Sequence, residues 1–145
     1  MLMNLTIGLP TMLLCLIMQA AVTFWTVRHY VRQMSRVPPG HELLAGIRQL
    51  LGVMILLTLG NFCQIVVWGT LFFWLGEFAT FDAAVYHSAV NFTSLGYGDL
   101  IMSAQRKLLG PLEAVNGILM LGMTGAALMA ILQHLIKERF AAPQR

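Results

Sequence analysis

Three long apolar runs dominate the chain: about Leu5 to Val27, about Leu50 to Leu75, and about Leu108 to Ile136. Each is longer than the roughly 20 residues that a helix needs to cross the hydrocarbon core of a bilayer. A fourth run, about Asp82 to Thr93, is too short to cross and reads as a re-entrant half-helix. The breaks fit this division. Pro38-Pro39-Gly40 ends any helix continuing from the first run, and Gly76-Glu77 ends the second. Gly110-Pro111 lies near the start of the third, where proline is tolerated if it falls in the first turn; a helix beginning near Ser103 would instead be kinked there. The expected organisation is therefore residues 1–36 as an N-terminal transmembrane helix with a basic extension, 37–49 as a linker, 50–136 as the main domain, and 137–145 as a short tail. Within the main domain lie an outer helix at 50–75, a half-helix at 82–93, a loop at 94–99 and an inner helix at 108–136.

Composition agrees with a membrane protein. Of 145 residues, 58% are hydrophobic and only 10% charged, against roughly 25% charged in soluble domains. The first run has no lysine or arginine before it, the reverse of a signal peptide, so it reads as a retained helix. Charge placement predicts the topology. Arg28, Arg32, Arg36 and Arg48 lie between the first two runs, and Lys137, Arg139 and Arg145 follow the third, while Arg106 and Lys107 lie on the other side. The positive-inside rule then puts the N-terminus outside and the C-terminus in the cytoplasm of a multi-pass protein of the plasma or inner membrane. Glu77, Asp82, Asp99 and Glu113 are expected near the outer face. Arg28, Arg32 and Arg36 recur every four residues beyond the apolar run and read as a cytoplasmic anchor in contact with anionic lipid, not as a voltage sensor.

Several functions are excluded by what is missing. No basic patch interleaved with aromatics points to nucleic acid. No catalytic constellation or nucleotide-binding motif points to an enzyme, and no cofactor is implied. Cys15 and Cys63 sit in apolar runs without a second ligand and read as small hydrophobes, so no resident metal is expected.

The informative segment is the loop. Irregular backbone at membrane depth is tolerated only where it is buried in protein or lines a water-filled cavity. A half-helix followed by Thr93-Ser94-Leu95-Gly96-Tyr97-Gly98-Asp99, between two spans, therefore suggests a pore. Phe81-Asp82-Ala83-Ala84-Val85-Tyr86-His87-Ser88 ahead of that loop, and Leu112-Glu113-Ala114-Val115-Asn116-Gly117 after it, resemble the pore helix and the start of the inner helix of the two-helix potassium channel family. The resemblance covers Phe81 to roughly Gln133.

The resemblance implies an all-α membrane fold of three transmembrane helices with a re-entrant pore helix, and passive K⁺ conduction with K⁺ as the permeant ion. In this family the carbonyls of a Thr-Val-Gly-Tyr-Gly run replace the hydration shell of the ion, and the filter is closed by a homotetramer. Aiming successive carbonyls at one axis needs alternating handedness of the backbone, which glycine permits at alternate positions. Ser94, Leu95, Gly96, Tyr97 and Gly98 are the implied ion-binding run, with Ser94 and Leu95 departing from the usual Thr and Val. Thr93, Asp99, Tyr86 and His87 are the implied mouth and support. A glutamate that pairs with the filter aspartate in some relatives is replaced by Val90, so Asp99 needs another donor. His87 reads as a neutral brace or as a pH sensor, the brace being favoured. Gly117 resembles the family's hinge glycine, with a packing role as the alternative.

Spacing on the third run groups Leu121, Thr124 and Leu128 on one face, expected to line the cavity, and Gly122, Ala126 and Ala130 on another, expected to pack on a neighbouring helix. The implied partners are the bilayer, three further copies of the chain, K⁺ and an unidentified regulatory partner. The alternatives are a weakly selective cation channel, which Ser94 and Leu95 motivate, and a non-conducting regulatory membrane subunit.

Overall fold

The computed structural model describes residues 2–34 and 42–140. Arg36, the Pro38-Pro39-Gly40 break, His41 and the tail from 141 to Arg145 lie outside the described residues. The described chain forms helices α1 (Leu2–Met34), α2 (Glu42–Trp74), α3 (Phe81–Phe92) and α4 (Leu109–Phe140). The first, second and fourth contain candidate membrane spans at Leu2–Gln33, Leu44–Trp74 and Leu109–Lys137. At about 1.5 Å per residue each exceeds the roughly 30 Å hydrocarbon core, so its ends project into the interface.

The helix ends follow local chemistry. α2 starts at Glu42 instead of near Leu50, so the described part of the expected linker is helical. The apolar and small residues Leu44, Ala45 and Ile47 extend the span, and one arginine at its end is tolerated because its long stem lets the charge reach the interface. α3 is capped by Thr80, whose hydroxyl accepts from the Ala83 amide at 3.3 Å. α4 begins at Leu109, placing Pro111 in the first turn, where no helical hydrogen bond is forfeited.

Among the described residues the helices pack through three apolar clusters, two of them at opposite ends of the bundle and a third around Ile65, Phe92 and Met120. At one end Cys15 of α1, Trp68 and Phe72 of α2, Ala84 of α3 and Leu109 of α4 share a buried cluster, so all four helices meet. At the other, Tyr30, Val53, Leu57 and Ile131 join α1, α2 and α4. Between the two end clusters runs a polar seam. The Gln64 amide donates to Gln19 Oε1 at 2.8 Å, and Gln19 and Asn61 both donate to Thr124 Oγ1, at 3.0 and 3.1 Å. Buried amides in an apolar bundle need such partners, because an unpaired one is costly. The seam fastens α1 to both α2 and α4, so the first helix is an integral part of the subunit.

The connections at the α3 end are also tied. Glu77 accepts from the Ser103 amide at 2.8 Å and pairs with Arg106 at 3.3 Å. Asn4 donates to the Gln105 carbonyl at 2.7 Å. The segment leading into α4 is thus held by α1 and by the chain just past α2.

Candidate functional site

The loop that follows α3 has an unusual backbone. Ser94, Gly96 and Gly98 have positive φ values of 57°, 62° and 74°, while Leu95 and Tyr97 between them do not. Left-handed residues therefore alternate with ordinary ones along the run. Glycine accepts this conformation freely; Ser94 does so against the preference of a residue with a β-carbon. Two backbone bonds launch the run from the end of α3: Ser94 donates to the Asn91 carbonyl at 2.8 Å and Leu95 to the Val90 carbonyl at 2.9 Å. Thr93 folds its hydroxyl back onto the Ala89 carbonyl at 2.7 Å. Residues 93–99 are exposed in the single chain, Tyr97 to 67%. Among the described residues Tyr97 makes no contact with another aromatic ring.

The far end of the loop is anchored to α3. The Tyr86 hydroxyl donates to Asp99 Oδ2 at 2.8 Å, which supplies the donor that Val90 cannot. The bond pushes the Tyr86 phenol above its usual range and holds the Asp99 carboxyl below its own. At the next position, His87 is buried, and both ring nitrogens are engaged. Nδ1 donates to the Leu100 carbonyl at 3.0 Å, and Nε2 accepts from the Asn91 amide at 2.9 Å. That pairing needs the neutral ring, and burial pushes the imidazole below its ordinary value. The geometry is that of a brace. Behind the loop, a cavity of about 440 Å³ lies between α3, residues 94–102 and the first turns of α4.

α4 contacts this assembly through residues that the sequence placed differently. Glu113, expected near the outer face, is fully buried. Its carboxyl group meets the Ser88 hydroxyl, whose proton goes to the Ile65 carbonyl of α2 at 2.7 Å. One small polar cluster therefore joins α2, α3 and α4. Four residues along α4, Gly117 lies so close to the last turn of α3 that a β-carbon there would overlap the Phe92 carbonyl. α4 and α3 are therefore in close contact at Gly117.

The expected cavity-lining residues separate. Thr124 is buried in the seam with Gln19 and Asn61, and Leu128 packs in the cluster around Tyr30, Val53, Leu57 and Ile131. Both face inward within the subunit, because their polar and apolar partners lie on α1 and α2. Leu121 alone of the three is exposed, at 44%, beside Gly122, Gly125 and Ala126. Among the described residues no cluster of His, Cys, Asp or Glu is placed to hold a metal ion.

A bundle with three apolar spans, a half-helix and a glycine-bearing loop between the second and third has the build of a membrane-embedded pore protein. A family model described as an ion channel matches residues 60–134, from the middle of α2 to near the end of α4. The chain belongs to this family, the pore-loop ion channels with two-helix domains. No curated protein and no solved structure matches it.

Proposed function

We propose that the chain is one subunit of a homotetrameric, potassium-selective channel whose filter is the run from Ser94 to Gly98. The observation that carries this reading is the alternation of positive φ at Ser94, Gly96 and Gly98. That alternation turns successive carbonyls of an extended strand to the same side, as a ladder of oxygen ligands for a dehydrated cation requires. α3 is the pore helix in this reading. Its C-terminal end leads directly into the run, and the negative end of the helix dipole favours a cation there.

Assembly is supported by what one subunit leaves open. A β-carbon added at Gly96, Gly98, Gly122 or Gly125 would meet nothing within 4 Å. Among the described residues these loop and α4 glycines thus face open space, which neighbouring copies fill when they surround an axis. Charge placement supports the N-terminus outside and the C-terminus in the cytoplasm. Ser94, a residue with a β-carbon in the left-handed region, favours the weakly selective cation channel as the second reading.

The test is ion flux from liposomes holding the purified protein, with K⁺ in one set and Na⁺ in a parallel set. Flux with K⁺ and little with Na⁺ supports the selective pore. Equal flux moves the reading to the weakly selective channel, and no flux with either ion to a closed or non-conducting subunit.

A further inference from the structure

A second cavity lies at the opposite end of the bundle, between α1 and α2, with a volume of about 230 Å³. Its walls are polar for a space between two spans: Thr26, His29 and Gln33 on α1, with Arg48 and Gln49 on α2. Its floor at Gly52, Val53 and Leu56 is apolar. Thr26 Oγ1, on a residue only 1% exposed, and Gln49 Oε1 are buried and have no hydrogen-bond partner among the described residues. Among the described residues no carboxylate lies within ion-pair distance of Arg48.

We propose that this cavity binds the phosphate group of an anionic membrane lipid whose headgroup carries free hydroxyls. Arg48 supplies a planar donor set suited to phosphate oxygens. The Thr26 hydroxyl and the Gln33 amide add neutral donors from the facing helix. The Gln49 carbonyl oxygen accepts from a headgroup hydroxyl. Gly52 has open space where a β-carbon would stand, so the lipid's glycerol backbone descends there along Val53 and Leu56. The apolar floor favours a lipid over a free anion, because a soluble phosphate has nothing to place against it. Arg28 and Arg32 do not line the cavity, so the site differs from the general attraction of a basic helix end to a charged membrane surface.

The test counts lipid bound to the purified full chain in neutral detergent, by native mass spectrometry across a titration. The probes are phosphatidylglycerol, phosphatidylcholine and inorganic phosphate. A charge-assisted hydrogen bond is worth enough that losing the guanidinium weakens binding by about tenfold or more. The expected result is preferential binding of phosphatidylglycerol, weakened by that factor in Arg48→Ala and in Gly52→Leu, which fills the cavity and leaves every charge in place. Arg28→Ala, outside the cavity, keeps wild-type affinity. Inorganic phosphate that competes as tightly as the lipid would keep the phosphate chemistry and overturn the lipid source. Equal binding of the two lipids, or unchanged phosphatidylglycerol affinity in both cavity variants, would overturn the site.

Discussion

Glu113 of α4 is hydrogen-bonded to Ser88 of α3 at a point where neither side chain reaches solvent. Because Ser88 donates to the Ile65 carbonyl, the contact sets how α3 sits between α2 and α4. A glutamine at 113 keeps the size and offers an amide to Ser88; an alanine leaves a void and removes one of the two partners of the Ser88 hydroxyl. Glu113→Gln is expected to keep its melting temperature and ion flux. Glu113→Ala should lose about 2 kcal/mol or more from the cavity and the lost hydrogen bond, read as a lower melting temperature in detergent, with flux falling as α3 shifts. Equal damage from both variants would show that the hydrogen bond is not what matters.

Gly117 and Gly122 make a second comparison on the same helix. A methyl group at 117 overlaps the Phe92 carbonyl, whereas one at 122 meets nothing in the subunit. Gly117→Ala is expected to push α4 from α3, at a cost of about 1–3 kcal/mol or more for overpacking, and to abolish flux. Gly122→Ala should leave the subunit's own stability unchanged or improved, since alanine favours helix by up to about 1 kcal/mol. Any loss it causes would appear as weaker assembly in cross-linking.

In the loop, Gly96→Ala and Gly98→Ala each place a β-carbon at a left-handed φ, costing roughly 1–2 kcal/mol of local strain. The loop is exposed in the subunit, so the helical bundle should melt as the wild type does. The expected loss is in the K⁺ over Na⁺ permeability ratio, measured as the reversal potential with the two ions on opposite sides. An unchanged ratio in both variants would remove the loop from the conduction path.

His87 predicts a pH dependence of stability. Its imidazole is lowered by burial, so the unfolded chain binds a proton there more readily than the folded one. Stability is therefore insensitive to this group above the ordinary value of about 6.5 and falls as the pH drops below it, until the folded form is protonated too. Melting temperatures of the wild type should decline in mild acid, and His87→Gln should remove part of that slope. Ion flux should be level between about pH 8 and 6.5, as befits a neutral brace.

Hydropathy made the three spans legible, because length and apolarity alone decide whether a helix can cross. Glycine spacing likewise made the loop legible, because a left-handed backbone leaves few other choices at Gly96 and Gly98. Glu113 was not legible. An acid close after Arg106 and Lys107 reads as solvent-facing, and its burial depends on Ser88 and on a carbonyl of α2, groups distant in sequence. Thr124 shares helical spacing with Leu121, yet spacing cannot say which face turns inward; Gln19 and Asn61 decide that. The bond between Tyr86 and Asp99 was missed for a similar reason. Helix and loop each carried its residue openly, but only the course of the loop brings them together.

The seam around Gln19 bears on how the chain is made. Gln19 lies midway along α1, which is made before α2 and α4, the helices that bring its partners Gln64 and Thr124. Until then its amide has only water, lipid headgroups or the insertion machinery to bond. α1 thus enters the membrane as an incomplete element, with a standing reason to remain near the exit site until α4 is released. The seam is completed only when α4 arrives, and a chain truncated before Thr124 leaves Gln19 without that hydroxyl.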